Sequence, residues 1–147
     1  MKRLLFVLMA SLAMQLTFAQ IRKIPAEVTT AFSTKYPDAK DVQWKDNVTS
    51  FSAHFTSKNG TSCEANYNGK GEWQSTEEDM DPKTMPAAVK DGFSKSKYSD
   101  RELGECMKIE KKDAEVQYRL LSKKNGVEKK YLYFNKEGKL MKEAVTL

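Results

Sequence analysis

The sequence predicts an α+β fold built from two tandem copies of one unit, a helix followed by about four antiparallel strands. Three observations carry that expectation. The stretch IPAEVTTAFSTKY at 24–36 returns, slightly altered, as MPAAVKDGFSKSKY at 85–98. After each stretch the apolar spacing changes from helical to period two. The alternation is then interrupted in both copies by the same turn, at Lys58-Asn59-Gly60 and Lys124-Asn125-Gly126.

Ahead of the first copy, residues 1–19 read MKRLLFVLMASLAMQLTFA and have the three parts of a secretory signal. Lys2 and Arg3 are the charged end, an apolar run from Leu4 to Leu16 follows, and Thr17-Phe18-Ala19 supplies a small-x-small cleavage site. The apolar run is shorter than the roughly 18 residues a spanning helix needs, and Ser11 and Gln15 interrupt it. The expectation is a mature chain from Gln20, periplasmic or secreted, with no membrane span after cleavage. A first copy over residues 20–80 and a second over 81–147 fill the remainder.

The chain has 147 residues, with 25 Lys and Arg against 20 Asp and Glu. Without the two basic residues of the signal the excess is 23 − 20 = +3, too mild to argue for a nucleic-acid partner. The acidic run Glu77, Glu78, Asp79 and Asp81 reads as a solvated linker between the copies, since it lacks the glycine and ligand spacing of a calcium loop.

Within each copy the elements follow in order. Pro25 and Pro86 sit just inside a helix start, where a missing N–H costs nothing. Ile24, Val28, Phe32 and Tyr36 recur on one helical face, as Met85, Val89 and Phe93 do in the second copy. Pro37 and Asp38 are expected to end the first helix, Ser99 and Asp100 the second. First strands are placed near Val42–Trp44 and Cys106–Ile109. Next, Phe51, Ala53 and Phe55 alternate with Ser52 and His54, as Val116, Tyr118 and Leu120 alternate with Gln117 and Arg119. Asn-Gly after each run predicts a two-residue type I′ hairpin. Last come EANYNGKGEW and its counterpart YLYFNKEGKL, aligning Tyr67 with Phe134, Gly71 with Gly138 and Trp73 with Leu140.

This order of helix, Trp44, alternating strand, Asn-Gly, alternating strand and glycine-containing turn, given twice behind a signal, resembles the PepSY-like, beta-lactamase-inhibitor-like family. These are small exported bacterial proteins abundant in Bacteroides. The resemblance covers Ile24 to Leu147 and rests on the paired pattern. It implies joined antiparallel sheets with helices packed on one face. The inhibitor that gives the fold its name clasps an enzyme with its exposed sheet face, which here implies inhibitor-like binding. In the second copy Cys106 stands where the first has Trp44, and Leu140 where it has Trp73, so the copies differ in what they touch.

No constellation points to catalysis, and the chain is read as a non-enzyme. His54 is the one histidine and alternates away from Phe51 and Phe55, while Cys63 alternates with Ala65 and Tyr67 on the opposite, buried face. One histidine and two distant cysteines do not make a zinc set, and no glycine-rich phosphate or dinucleotide loop is present, so no cofactor is expected. Cys63 and Cys106 allow one bridge between the copies, or else two thiols in sheet positions.

With the helices on one face, the alternate strand residues form an open one. In the first copy these are Ser52, His54, Thr56, Glu64 and Asn66. In the second they are Arg119, Leu121, Tyr131, Tyr133 and Met141. Tyrosine, arginine and methionine are enriched at interface centres. The second set is therefore the candidate surface for a protein or peptide partner, unless a one-residue slip in register buries it. The alternative is an envelope-associated structural protein that self-associates through a strand edge.

Overall fold

The computed structural model describes residues 23–125 and 127–146. The expected signal at 1–19 lies outside the described residues, as does Gly126 of the second turn. Helix α1 spans Ala26–Lys35 and is followed by strands β1 (Lys40–Asp46), β2 (Ser50–Thr56), β3 (Ser62–Asn68) and β4 (Trp73–Met80). A short 3-10 turn, Pro82–Thr84, leads into α2 (Ala87–Ser94) and strands β5 (Glu102–Lys111), β6 (Val116–Lys124), β7 (Glu128–Asn135) and β8 (Leu140–Val145). The eight strands form one antiparallel sheet in sequential order, so β4 and β5 join the two halves. Both helices pack on the same face.

Each helix covers its own apolar patch. Val28 and Phe32, one turn apart on α1, meet Phe51, Ala53, Phe55, Cys63, Ala65 and Tyr67. Phe32 is the hub, edge-on to Phe55 at 5.1 Å and to Trp44 at 5.2 Å between ring centres. On α2, Val89 packs with Met85 against Tyr118, Leu120, Leu132 and Phe134. Every core strand residue expected from the alternation lies on this face, and burial of each large side chain contributes about 1.5–3 kcal/mol.

Cys106 lies opposite Leu120 as Trp44 lies opposite Ala53, so the two first strands occupy matching places. The last strands also match. Tyr67 faces Trp73 and Phe134 faces Leu140, and in both pairs the next rung skips one residue, leaving Gln74 and Met141 in bulges. The turns before them tuck beneath the helices. A Cβ at Gly71 would stand 2.6 Å from the Glu27 carbonyl oxygen, and one at Gly138 would overlap the carbonyl of Ala88. Both glycines have φ near +80°, so only glycine meets both demands.

Four expectations are corrected. Both prolines are N-caps, one residue before the helix, and their carbonyls accept the first helical N–H bonds. Helix α2 ends at Ser94, not near Ser99, because Ser94 and Ser96 hydroxyls bond back to the Asp91 and Phe93 carbonyls and draw the chain into turns. The first Asn-Gly turn is not type I′. The Gly60 N–H bonds to the Ser57 carbonyl, Ser57 N–H bonds to the Thr61 carbonyl, and only Gly60 takes positive φ, the pattern of a three-residue loop closed by a left-handed glycine.

The fourth correction concerns the acidic run. Glu77, Glu78 and Asp79 are not linker but part of β4, all three paired to β5 and the two glutamates also to β3. Their polarity concealed the strand because β4 lies under neither helix. Its helix-side residues, Thr76 and Glu78, stand opposite Glu110 and Lys108 in the gap between the two apolar patches.

Candidate binding face

The sheet face opposite the helices carries no covering layer among the described residues, and the ladder fixes which side chains share it. Arg119 lies directly opposite Tyr133, and Leu121 opposite Tyr131. Arg119 is also opposite Met107 on β5, and its guanidinium contacts the Met107 sulfur. It lies 5.0 Å over the Tyr131 ring and makes an ion pair of 2.9 Å with Glu77. Lys142 from β8 lies 5.4 Å over the Tyr133 ring. Four of the five expected residues thus share one face, Tyr131 and Tyr133 beside Arg119.

Two of the expected residues stand differently from the simple picture. Leu121 is only 7% exposed; it lies against the position a Cβ would take at Gly104, where β5 bulges. Met141 is half exposed but sits in the bulge of the edge strand, away from the Arg119 cluster.

Residues absent from the sequence-based set complete the surface. A depression of about 450 Å³ opens beside the cluster, lined from β4 through β8 by Ser75, Glu77, Ile109, Gln117, Tyr133 and Lys142 among others. Side chains from five successive strands line it, as they do where a sheet curves towards one face. Ile109 is 6% exposed although no helix covers it, and it forms an apolar floor. The alternation of Cys106 and Lys108 against Met107 and Ile109 held the signal for it.

Charges around the depression are mostly paired. Glu77 is neutralised by Arg119 and Glu115 by Lys111, at 2.9 and 3.0 Å. Lys142 has the Tyr133 ring as its partner and no carboxylate within ion-pair distance among the described residues. Positive charge therefore faces outward beside an apolar floor.

The first-half face is polar, as expected. Ser52 is buried there and accepts a hydrogen bond from the Asn47 amide. His54 lies 3.1 Å from the Cys63 carbonyl through Nδ1 and 4.0 Å from Glu64, whereas the Cys63 thiol is on the helix side. His54 and the thiol are thus separated by the sheet itself. Among the described residues no group of three His, Cys, Asp or Glu is arranged to hold a metal.

The candidate bridge between Cys63 and Cys106 is not made, and both thiols are free and buried. Cys63 faces Glu78 and Cys106 faces Met80, so β4 runs between them. Two strand spacings, roughly 9–10 Å, exceed the roughly 7 Å that a bridge spans. Burial, reinforced by Glu78, pushes the Cys63 thiol up to about 11. Burial and Asp81 do the same for Cys106.

Solved structures share this architecture. A DUF2874 family protein of Bacteroides ovatus superposes with a TM-score of 0.79 at 21% identity, covering 84% of this chain and 89% of its own. A protein of Bacteroides eggerthii described as "putative periplasmic" gives 0.78 at 21%, covering 84% and 90%. A BLIP-like protein of Bacteroides fragilis gives 0.77 at 19%, covering 87% and 90%. No curated protein matches the chain. No helix of the described residues is long and apolar enough to cross a membrane. The family model described as "Putative beta-lactamase-inhibitor-like, PepSY-like" matches residues 49–142, from the start of β2 to the middle of β8. The chain belongs to the PepSY-like family.

Proposed function

We propose that this is an exported, non-catalytic binding module that engages a protein or peptide through the concave open face of its sheet. The observation that carries the proposal is the depression over Ile109, where an apolar floor is framed by Tyr133, Gln117 and the outward-facing charge of Lys142. A central apolar pocket beside an aromatic residue, with a polar rim, is how binding energy is concentrated at protein interfaces. The signal-like residues 1–19 and the periplasmic description of a relative support export to the envelope. Inhibition of an enzyme is one form such binding takes.

The test is a crosslinking capture from the native host's envelope. The chain from Gln20 is compared with a variant carrying Tyr133→Ser and Lys142→Ser, a half-buried and an exposed position on the face away from the helices. A partner captured by the first and lost by the folded second supports the proposal. Equal capture by both contradicts the site.

Self-association is a second use of the same fold. Edge strand β8 exposes Met141 at 51% and Val145 at 72%, a template for strand pairing. Size that grows with concentration, and stops growing when Val145→Lys is introduced, would favour it.

A further inference from the structure

The opposite face of the sheet holds a second candidate site. Over the β4–β5 join the two apolar patches stop, and the ladder places Thr76 opposite Glu110 and Glu78 opposite Lys108 on the side where every other central residue is core. The end of α1 does not close over them. A cavity of about 220 Å³ is left there, and a second of about 230 Å³ adjoins it along the end of α1, sharing Tyr36, Phe55, Ser57 and Glu78. The Tyr36 and Phe55 rings, 4.8 Å apart, form an aromatic wall.

Glu78 is the lining carboxylate without a direct ion pair among the described residues, although Lys108 stands opposite it on β5 and Lys35 lines both cavities. Lys108 is paired with Glu110 at 2.5 Å, and Lys58 with Asp38 at 3.8 Å. Lys35 lies 4.0 Å over the Trp73 ring. Tyr36 and Thr76 share a hydrogen bond, and the Trp73 indole donates to the same threonine oxygen. Glu78 lines both cavities and has no ion pair or hydrogen bond among the described residues. The carboxyl end of α1, the negative end of its dipole, lies on the same rim at Lys35 and Tyr36.

We propose that this cavity binds a small primary ammonium, its charge against Glu78 and its carbon chain against the rings of Tyr36 and Phe55. An aromatic wall beside a carboxylate attracts a cation both through the ring faces and through the ion pair. The lining also carries Lys35 and Lys108, but Lys108 is held by Glu110 and Lys35 lies over the Trp73 ring, which leaves Glu78 to pair with an incoming charge. Cys63, also in the lining, keeps its thiol protonated partly because Glu78 is near, which agrees with a site of negative potential. The site is on the far side of the sheet from the proposed docking face, so each stands if the other fails.

The experiment is an amide-resolved NMR titration of the chain from Gln20 with n-pentylammonium, and separately with n-pentanoate. Saturating shifts at Tyr36, Phe55, Cys63 and Glu78 with the cation alone, weakened about tenfold or more in Glu78→Gln, are expected. Equal binding of pentanoate, unchanged affinity in Glu78→Gln, or no saturable shift at millimolar ligand would overturn the proposal. Should Glu78→Gln fail to fold, the cation-against-anion comparison on the native chain decides alone. Titration with Nα-acetyl-lysine amide and with cadaverine then distinguishes a lysyl side chain from a free diamine by which binds more tightly.

Discussion

Arg119 Nη2 lies 2.9 Å from Glu77 Oε2, tying β6 of the second half to β4 of the first across β5. The contact relieves a conflict, because Glu77 stands directly opposite Glu64 on the open face, and like charges so placed repel. Both partners are less than a quarter exposed. Arg119→Met should therefore cost about 1 kcal/mol in urea unfolding. Adding Glu64→Gln should return part of that loss; no recovery would mean that the repulsion is negligible.

Gly138 and Gly60 share the same φ but not the same surroundings. Nothing lies within 4 Å of a Cβ at Gly60, while one at Gly138 meets the Ala88 carbonyl. Gly60→Ala should cost about 1 kcal/mol for the left-handed backbone alone. Gly138→Ala should cost about 2–4 kcal/mol, because α2 must also move. Equal losses in thermal unfolding would show that the helix has room to shift.

The Tyr67 hydroxyl is buried and has no hydrogen-bond partner among the described residues, and burial pushes its pKa well above the ordinary phenol value. Its ring is packed against Phe32. Tyr67→Phe keeps that packing and removes the unpaired oxygen, so stability should rise by about 1 kcal/mol. A fall of similar size in denaturant unfolding would reveal a partner for the hydroxyl.

Both thiols titrate higher in the folded chain, near 11 against an ordinary 9.0. At pH values between these the unfolded chain has lost thiol protons that the folded chain retains. Their contribution to stability is therefore complete below about pH 9 and declines as pH rises toward 11. A Cys63→Ala, Cys106→Ala variant should lose less stability than the native chain between about pH 8.5 and about pH 10.5, measured by urea unfolding under reducing conditions. Parallel curves would contradict the burial of the thiols.

Much of this fold is legible because each half repeats its own local logic. The helical spacing of Val28 and Phe32 and the period-two runs through Phe55 and Leu120 are complete within a few residues, so each buried face can be read without its partner. What was not legible depends on the neighbour across the join. Glu77 and Glu78 look like linker until Arg119 and Lys108 stand beside them, 119 − 77 = 42 and 108 − 78 = 30 residues further along the chain. The open-face cluster of Arg119, Tyr131 and Tyr133 followed from alternation alone. The alternation along β5 places Ile109 on the same face, whereas Lys142 joins it through a bulge in β8 that shifts the register after Leu140. Cys63 and Cys106 stay unbridged for the same reason, since β4, whose acidic residues read as linker, runs between them.

The most direct test of the docking face uses the lysines, which the fold distributes over both sides. Lys45, Lys111 and Lys142 share the open face by register, whereas Lys90 and Lys95 belong to α2 and its cap. Lysine-reactive crosslinking of the captured complex, followed by peptide mapping, should place the partner on Lys111 and Lys142. Crosslinks concentrated on Lys90 and Lys95 would contradict binding through the concave sheet.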